Sequence, residues 1–222
     1  PSPDRGLYTA QEESLMPYMH LKDIGLYYKV LGQGPPLFML MGLRGDHTWF
    51  FRQVPELARH FKLILVDNRG AGQSDKPDKP YSIAGMAQDA ISLMDKLNLP
   101  CAHFLGASMG GCIAQEVAIR FPSRVRSLVL ACATCGGAEA VAAPEHIMQW
   151  FAHPGGLNPY EFLYQCLGVY FSNRWLEDEG NKAEEFVQIA LASSPPDLVF
   201  QRHLEALKAF TSAKRLPGLT QP

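Results

Sequence analysis

The sequence predicts an α/β protein, with a mostly parallel sheet covered by helices on both faces and a helical region after it. Between residues 37 and 131, apolar runs of strand length alternate with segments whose apolar residues recur at helical spacing. The links between these segments are short. Beyond residue 131 the alternation stops and only the helical spacing continues.

The first part of the chain predicts a flexible arm and then a sheet edge. Residues 1–17 are polar and show no periodicity. Residues 18–22 and 25–31 are β-prone runs that predict a hairpin. Residues 37–41 form a solid apolar run after two prolines, as expected for a strand buried on both faces.

The alternation then continues in regular order along the chain. The predicted elements are a helix at 47–60, a strand at 61–66, a helix at 82–97, a strand at 102–105, a helix at 112–121 and a strand at 125–131. Parallel sheets gather their reactive loops at the carboxyl ends of the strands, so Leu43, Asp67 and Ser108 are expected at one edge of the sheet.

Composition and charge exclude several classes of function. Of the 222 residues, 20 are Lys or Arg and 22 are Asp or Glu, so the net charge is −2. No basic stripe predicts nucleic-acid or anionic-membrane binding, and a small ligand is the expected partner. No apolar run is long enough for a membrane span and the start lacks a leader pattern, so a cytoplasmic protein is expected. Cys132 and Cys135 form a CxxC without a second ligand pair, which favours packed thiols over a metal or redox site.

The most informative stretch is the turn from Gly106 to Gly110, with Ser108 at its centre. A Gly-x-Ser-x-Gly turn between a strand and a helix is the arrangement called a nucleophile elbow. The reversal is so sharp that side chains two residues either side of the serine would collide, which explains Gly106 and Gly110. The following helix directs the Met109 N–H at charge developing near the hydroxyl, as half of an oxyanion hole. The alternative is a glycine-rich turn with an idle serine.

Two further loops lie at the same predicted edge. The loop at Gly42 and Leu43 can supply a second backbone N–H to complete the oxyanion hole. Residues 67–75 fit neither a phosphate loop nor a dinucleotide fingerprint, so Asp67 and Arg69 are expected to hold that turn by charged hydrogen bonds.

Three linked motifs carry a family resemblance: the loops 42–47 and 66–75 and the elbow at Ser108. In this order and spacing, from about residue 18 to 133, they resemble the α/β-hydrolase family, in particular its 3-oxoadipate enol-lactonase and carboxylesterase branch. The resemblance implies Ser108 as nucleophile, oxyanion-hole N–H groups at Leu43 and Met109, and no metal or organic cofactor. Met41 departs from the pattern because many members carry histidine there, which concerns loop geometry rather than the nucleophile.

The resemblance also implies a domain organisation and a reaction. The divisions are an arm at 1–17, an α/β-hydrolase core at 18–136, a helical cap at 137–213 and the start of a return to the core at 214–222. The expected activity is hydrolysis of a small ester, lactone or similar acyl bond. Arg44 is a candidate for pairing with a substrate carboxylate, against the alternative of a solvated loop arginine. An acyltransferase, a cofactor-free perhydrolase and a non-catalytic ligand-binding protein remain alternatives.

The resemblance further implies partners for the serine that the sequence does not identify. In this fold the order along the chain is serine, acid, histidine. The sequence ends before the strands that carry the acid and the histidine in the family, so a truncated chain is expected. His47 is the histidine closest to the pocket by motif position, although capping or packing at a helix start is the alternative for it.

Overall fold

The computed structural model describes residues 18–141, 144–147 and 156–222. The predicted arm at 1–17 and the predicted helical positions at Trp150 and Phe151 lie outside these residues. In the described part, the strands are β1 (Tyr18–His20), β2 (Gly25–Leu31), β3 (Pro36–Leu40), β4 (Lys62–Val66), β5 (Ala102–Ala107) and β6 (Val125–Ala131).

These strands form one sheet in the order β1-β2-β4-β3-β5-β6. The first two strands are antiparallel to their neighbours, as the predicted hairpin requires, while β4, β3, β5 and β6 run parallel. The sequence-based prediction of a mostly parallel sheet is confirmed. In the parallel register Leu40 lies beside Val66, so the loops that follow β3 and β4 emerge next to each other.

The helices that cover the sheet in the described residues are α1 (Val54–Leu57), α2 (Ile83–Lys96) and α3 (Met109–Arg120). The Ser82 side chain caps α2 by accepting a hydrogen bond from the Gly85 N–H. Sheet and helices enclose a core in which Phe38 of β3 stacks on Phe104 of β5, with ring centroids 5.2 Å apart. Burial of β3 and β4 on both faces accounts for their continuous apolar sequences.

The prediction of one helix at 47–60 is wrong. The chain forms a 3₁₀ turn at His47–Phe50 and then the single turn α1. Pro55 explains the break, because it has no N–H to donate to the Phe51 carbonyl four residues earlier. A helix through this segment would lose that bond, and the proline is instead placed in the first turn of α1.

After β6 the described chain is helical, as predicted. The helices are α4 (Pro159–Tyr170), α5 (Asn173–Asp178), α6 (Gly180–Ser193) and α7 (Asp197–Lys208). Helices α4 and α6 share a second apolar cluster that includes Phe162, Phe186 and Val187. That cluster also contains Phe51, so these helices pack on the segment that follows β3. The division into core and cap stays a prediction.

Candidate active site

Ser108 is the single residue between β5 and α3. Its backbone has φ 53° and ψ −119°, a conformation that residues with a Cβ rarely adopt. The Ser108 N–H donates to the Ala131 carbonyl at 2.8 Å, which fixes the turn to the end of β6. The Ser108 carbonyl accepts hydrogen bonds from Gly111 and Cys112 and so begins the helix. The local backbone therefore has the form of the predicted elbow.

The two glycines of the motif are required by close backbone contacts. A Cβ at Gly106 would lie 2.3 Å from the Gly110 carbonyl oxygen. A Cβ at Gly110 would lie 1.9 Å from the carbonyl oxygen of Leu40. Since real Cβ atoms do not approach backbone oxygens this closely, both positions exclude every residue except glycine. The collision within the turn that the sequence predicted accounts for Gly106, while Gly110 is required by the neighbouring strand β3.

The loop after β3 reaches the serine at Gly42. A Cβ at Gly42 would lie 2.8 Å from the Ser108 Cβ and 3.2 Å from the Ser108 Oγ, so any side chain here would fill the space beside the hydroxyl. Leu43 follows, half-buried against the main core. Among the described residues no group accepts a hydrogen bond from the Leu43 N–H. A free backbone donor therefore lies one residue from the contact with Ser108.

Met109 is the first residue of α3 and is fully buried. The N–H groups of the first helical turn have no acceptor within the helix, and the positive end of the helix dipole lies at the same place. Ser108, Met109 and the Gly42–Leu43 segment are thus brought to one edge of the sheet, as the sequence predicted.

Asp67 connects the loop after β4 to the loop after β3. Its Oδ1 accepts the His47 backbone N–H at 2.9 Å and lies 2.7 Å from the His47 ring Nδ1. Its Oδ2 accepts the Gln73 N–H at 2.9 Å. Arg69 instead forms two hydrogen bonds of 2.7 Å with Asp89 of α2. Both residues hold the turn by charged hydrogen bonds, as predicted, but His47 and Asp89 were not foreseen as their partners.

Asp46 is a buried carboxyl beside Asp67. Its Oδ1 accepts the Thr48 N–H at 2.9 Å, which caps the 3₁₀ turn. Burial, and then repulsion from Asp67, raise the pKa of Asp46 to about 6. Possible ligand atoms of Asp46, His47 and Asp67 all lie within 4.8 Å of one another, so these three residues could surround a cation. The hydrogen bonds between His47 and Asp67, and those from Thr48 to Asp46, already account for the arrangement of these residues.

Arg44 belongs to the loop after β3, where its backbone has φ 65°, and its side chain packs against the later helices. Its guanidinium carbon is 3.9 Å from the ring centroid of Phe200 in α7 and 5.0 Å from that of Phe162 in α4. Burial lowers the pKa of Arg44, opposed by the nearby Asp197 carboxylate. Arg44 is therefore packed between aromatic rings and is not the solvated loop arginine that the sequence left as an alternative.

The Ser108 hydroxyl has no hydrogen-bond partner among the described residues. His47 is 1% exposed and is paired with Asp67, and His203 of α7 lies 2.7 Å from the Arg69 carbonyl oxygen through its Nε2. His60 pairs with Glu56, and His103 with Ser127. The base that would activate the serine is not identified by these contacts.

No helix among the described residues combines the length and the apolar character that a membrane span requires.

Comparisons with known proteins agree with this geometry. A family model described as the alpha/beta hydrolase fold matches residues 35–162. A protein from Azorhizobium caulinodans assigned as the carbamate hydrolase RutD is 29% identical over 207 residues, which cover 93% of this chain and 77% of that protein. The 3-oxoadipate enol-lactonase 2 of Acinetobacter baylyi is 33% identical over 144 residues, covering 60% of this chain and 54% of that protein.

A solved structure shows the same fold. The enol-lactonase from Burkholderia xenovorans LB400 superposes with a TM-score of 0.79 at 24% identity, covering 93% of this chain and 78% of that one. The family model spans more than half of the present sequence and includes β3 to β6 and the elbow. The chain belongs to the alpha/beta hydrolase fold family, and its relatives include proteins named as a carbamate hydrolase and an enol-lactonase.

Proposed function

We propose that the protein is a serine hydrolase in which Ser108 forms an acyl-enzyme. The observation that carries the proposal is the strained backbone of Ser108 at φ 53° in the turn between β5 and α3. Strain of this kind costs on the order of 1–3 kcal/mol and persists where the surroundings enforce it, commonly at functional sites. Here the enforcing contacts are the glycine-only positions 106 and 110 and the hydrogen bond to Ala131.

The reaction would proceed in two steps, acylation of Ser108 and hydrolysis of the acyl-enzyme. The Ser108 Oγ attacks the acyl carbon while its proton passes to a general base, and the negative charge on the carbonyl oxygen is stabilised by the Leu43 and Met109 N–H groups. The leaving alcohol or amine departs with a proton, which leaves the acyl-enzyme. Water then attacks the same carbon and releases the acid and the free serine. Removing one oxyanion-hole donor typically costs about 3–4 kcal/mol of transition-state stabilisation.

The site and the relatives support a proposal for the substrate class. Relatives are named as a carbamate hydrolase and an enol-lactonase. Esters, lactones and carbamates share an acyl carbon bonded to a leaving oxygen or nitrogen, and all fit attack by a serine. We propose a small-molecule substrate of this type.

Arg44 is the proposed substrate-binding cation. Arg44 follows Leu43 in the chain, and its guanidinium packs against the rings of Phe162 and Phe200. A substrate with a carboxylate would gain a charge-assisted hydrogen bond there. Arg44→Ala should therefore raise KM for acidic esters and leave KM for neutral esters unchanged; equal changes for both would contradict this role.

One observation favours a second candidate function. Because no described residue hydrogen-bonds to the Ser108 hydroxyl, the fold could serve as a non-catalytic ligand-binding protein that retains the pocket. Such a protein would bind ligand without turnover and would tolerate Ser108→Ala.

The test is reaction with a fluorophosphonate probe and localisation of the label by mass spectrometry. Unactivated serines do not react with such probes at a useful rate. Rapid labelling at Ser108, absent in Ser108→Ala, is the expected result, and variants of His47 would then test whether it is the base. Absence of labelling together with ligand binding would favour the non-catalytic function.

A further inference from the structure

The loop after β4 holds the proposed oxyanion loop at both ends. Because β3 and β4 are parallel neighbours with Leu40 beside Val66, the next residues of each strand lie side by side. At the far end of the β3 loop, Asp67 accepts the His47 N–H at 2.9 Å. At its near end, the Asn68 side-chain amide donates to the Met41 carbonyl oxygen at 2.8 Å. Two consecutive residues thus anchor the segment from Met41 to His47.

The bond from Asn68 acts on the peptide next to Gly42. In a planar peptide the carbonyl of one residue and the N–H of the next point in opposite directions, so anchoring the Met41 oxygen fixes the direction of the Gly42 N–H. Gly42 itself has the conformational freedom of glycine, and nothing in its own side chain would hold the next peptide. The position of the Leu43 N–H therefore depends on how firmly the peptide before Gly42 is held.

Two neighbours of the Met41 oxygen restrict this peptide. On one side it faces the Asn68 amide. On the other it faces α3, since a Cβ at Gly110 would lie 3.0 Å from it. Asn68 is 5% exposed and its hydrogen bond to Met41 is partly buried, which limits the access of competing water. Loss of the donor would leave a carbonyl without its partner and favour rotation of this peptide.

We propose that Asn68 is a positioning residue for the oxyanion hole. It holds the peptide between Met41 and Gly42 and thereby directs the Leu43 N–H toward the acyl oxygen of a substrate on Ser108. The inference rests on the proposed function for its catalytic consequence, while the anchoring of the loop can be measured without turnover.

The test compares Asn68→Asp and Asn68→Ala with the unaltered chain. Aspartate has the shape of asparagine, but its ionised form cannot donate. Asn181→Asp, at an exposed position in α6, is the matched control for the same chemical change. Thermal unfolding of each variant would establish that it is folded before it is compared.

The first readout is amide hydrogen exchange in the segment 41–47, in which the His47 N–H is bonded to Asp67, with β5 as internal reference. At pH 8 we expect exchange in the segment at least about tenfold faster in both Asn68 variants, with exchange in β5 and in the control unchanged. At low pH the aspartic acid of Asn68→Asp can donate again, so its exchange ratio to the unaltered chain should return toward one. The ratio for Asn68→Ala should stay high. Unchanged exchange in the segment would overturn the proposal.

The second readout is turnover of p-nitrophenyl acetate. We expect kcat to fall by about tenfold or more with KM within twofold, because the oxyanion hole acts on the transition state. An unchanged kcat despite faster exchange would also overturn the proposal. A chain that turns over no faster than Ser108→Ala would refute the proposed function instead, and the exchange result alone would decide whether Asn68 holds the loop.

Discussion

Replacing Asp46 with asparagine should stabilise the protein above pH 6. Asp46 is 5% exposed, and burial and Asp67 raise its pKa from 3.8 to about 6. The other ionisable groups at this place are His47, paired with Asp67, and Lys76, which lines the same cavity of about 330 Å³ as Asp46. Asparagine keeps the oxygen that accepts the Thr48 N–H and is an equally good helix cap, but it carries no charge.

The direction of this pH dependence follows from the number of protons bound in the folded and unfolded states. Since the pKa is higher in the folded protein, the folded state holds a proton between pH 3.8 and about 6 that the unfolded chain has released. The stability that Asp46 contributes is therefore complete below pH 3.8 and is lost as the pH rises through 6. The full difference corresponds to about 3 kcal/mol. The pKa of about 6 already includes the favourable hydrogen bonds from Thr48, so the stability of Asp46→Asn relative to the unaltered chain should rise by about 3 kcal/mol between pH 3.5 and pH 7.5.

Urea unfolding followed by tryptophan fluorescence at pH 3.5, 5, 6 and 7.5 measures this difference. The free energies of unfolding of Asp46→Asn and the unaltered chain should lie closest together at pH 3.5 and diverge as the pH rises. Asp178→Asn, at an exposed position in α5, is the matched control and should show no such divergence. A difference that is independent of pH, or a less stable Asp46→Asn at pH 7.5, would refute the reasoning.

Three further predictions concern the elbow and the buried ion pair. Ser108→Gly should be more stable to urea than Ser108→Ala by about 1 kcal/mol, because glycine relieves the strain at φ 53°; equal stabilities would show that no strain is stored there. Gly110→Ala should lower the free energy of unfolding by about 3 kcal/mol, because the new Cβ meets a backbone oxygen. Gly168→Ala, in open space on α4, should instead raise it by about 0.5–1 kcal/mol. Similar effects at the two sites would contradict the steric argument. Asp89→Ala should lower the free energy of unfolding by about 3–5 kcal/mol, because it leaves Arg69 buried without its partner. The double variant Arg69→Met/Asp89→Leu should recover most of that loss in the same urea measurement. If it recovers nothing, the pair contributes more than mutual neutralisation.

Local signals in the sequence predicted much of the site. Ser108 and its two glycines are recognisable because the elbow imposes its residue types within five positions. The strand before it and the helix after it carry the period of their own apolar faces. Residues 47–60 failed as one helix because the apolar spacing was weighed without Pro55, which decides the local hydrogen bonding.

Asn68 and Asp46 were missed for a different reason. Each acts through a partner that the sequence does not mark, namely the Met41 carbonyl for Asn68 and the Asp67 carboxylate for Asp46. A polar residue in the loop after a buried strand was the available signal, but it does not say which neighbouring loop the side chain meets. That depends on the order of the strands, because β3 lies between β4 and β5 in the sheet.

The sequence by itself determined the alternation of strands and helices, the elbow and the loops expected at the carboxyl edge, since each depends on residues close together in the chain. Only the tertiary structure decided which side chains meet across that edge. Hydrogen bonds such as those from Asn68 to Met41 and from His47 to Asp67 join residues 27 and 20 positions apart. Packing of Arg44 against α4 and α7 joins more distant ones. These contacts depend on strand register and helix packing, which bring distant residues together and leave no periodic pattern in the sequence.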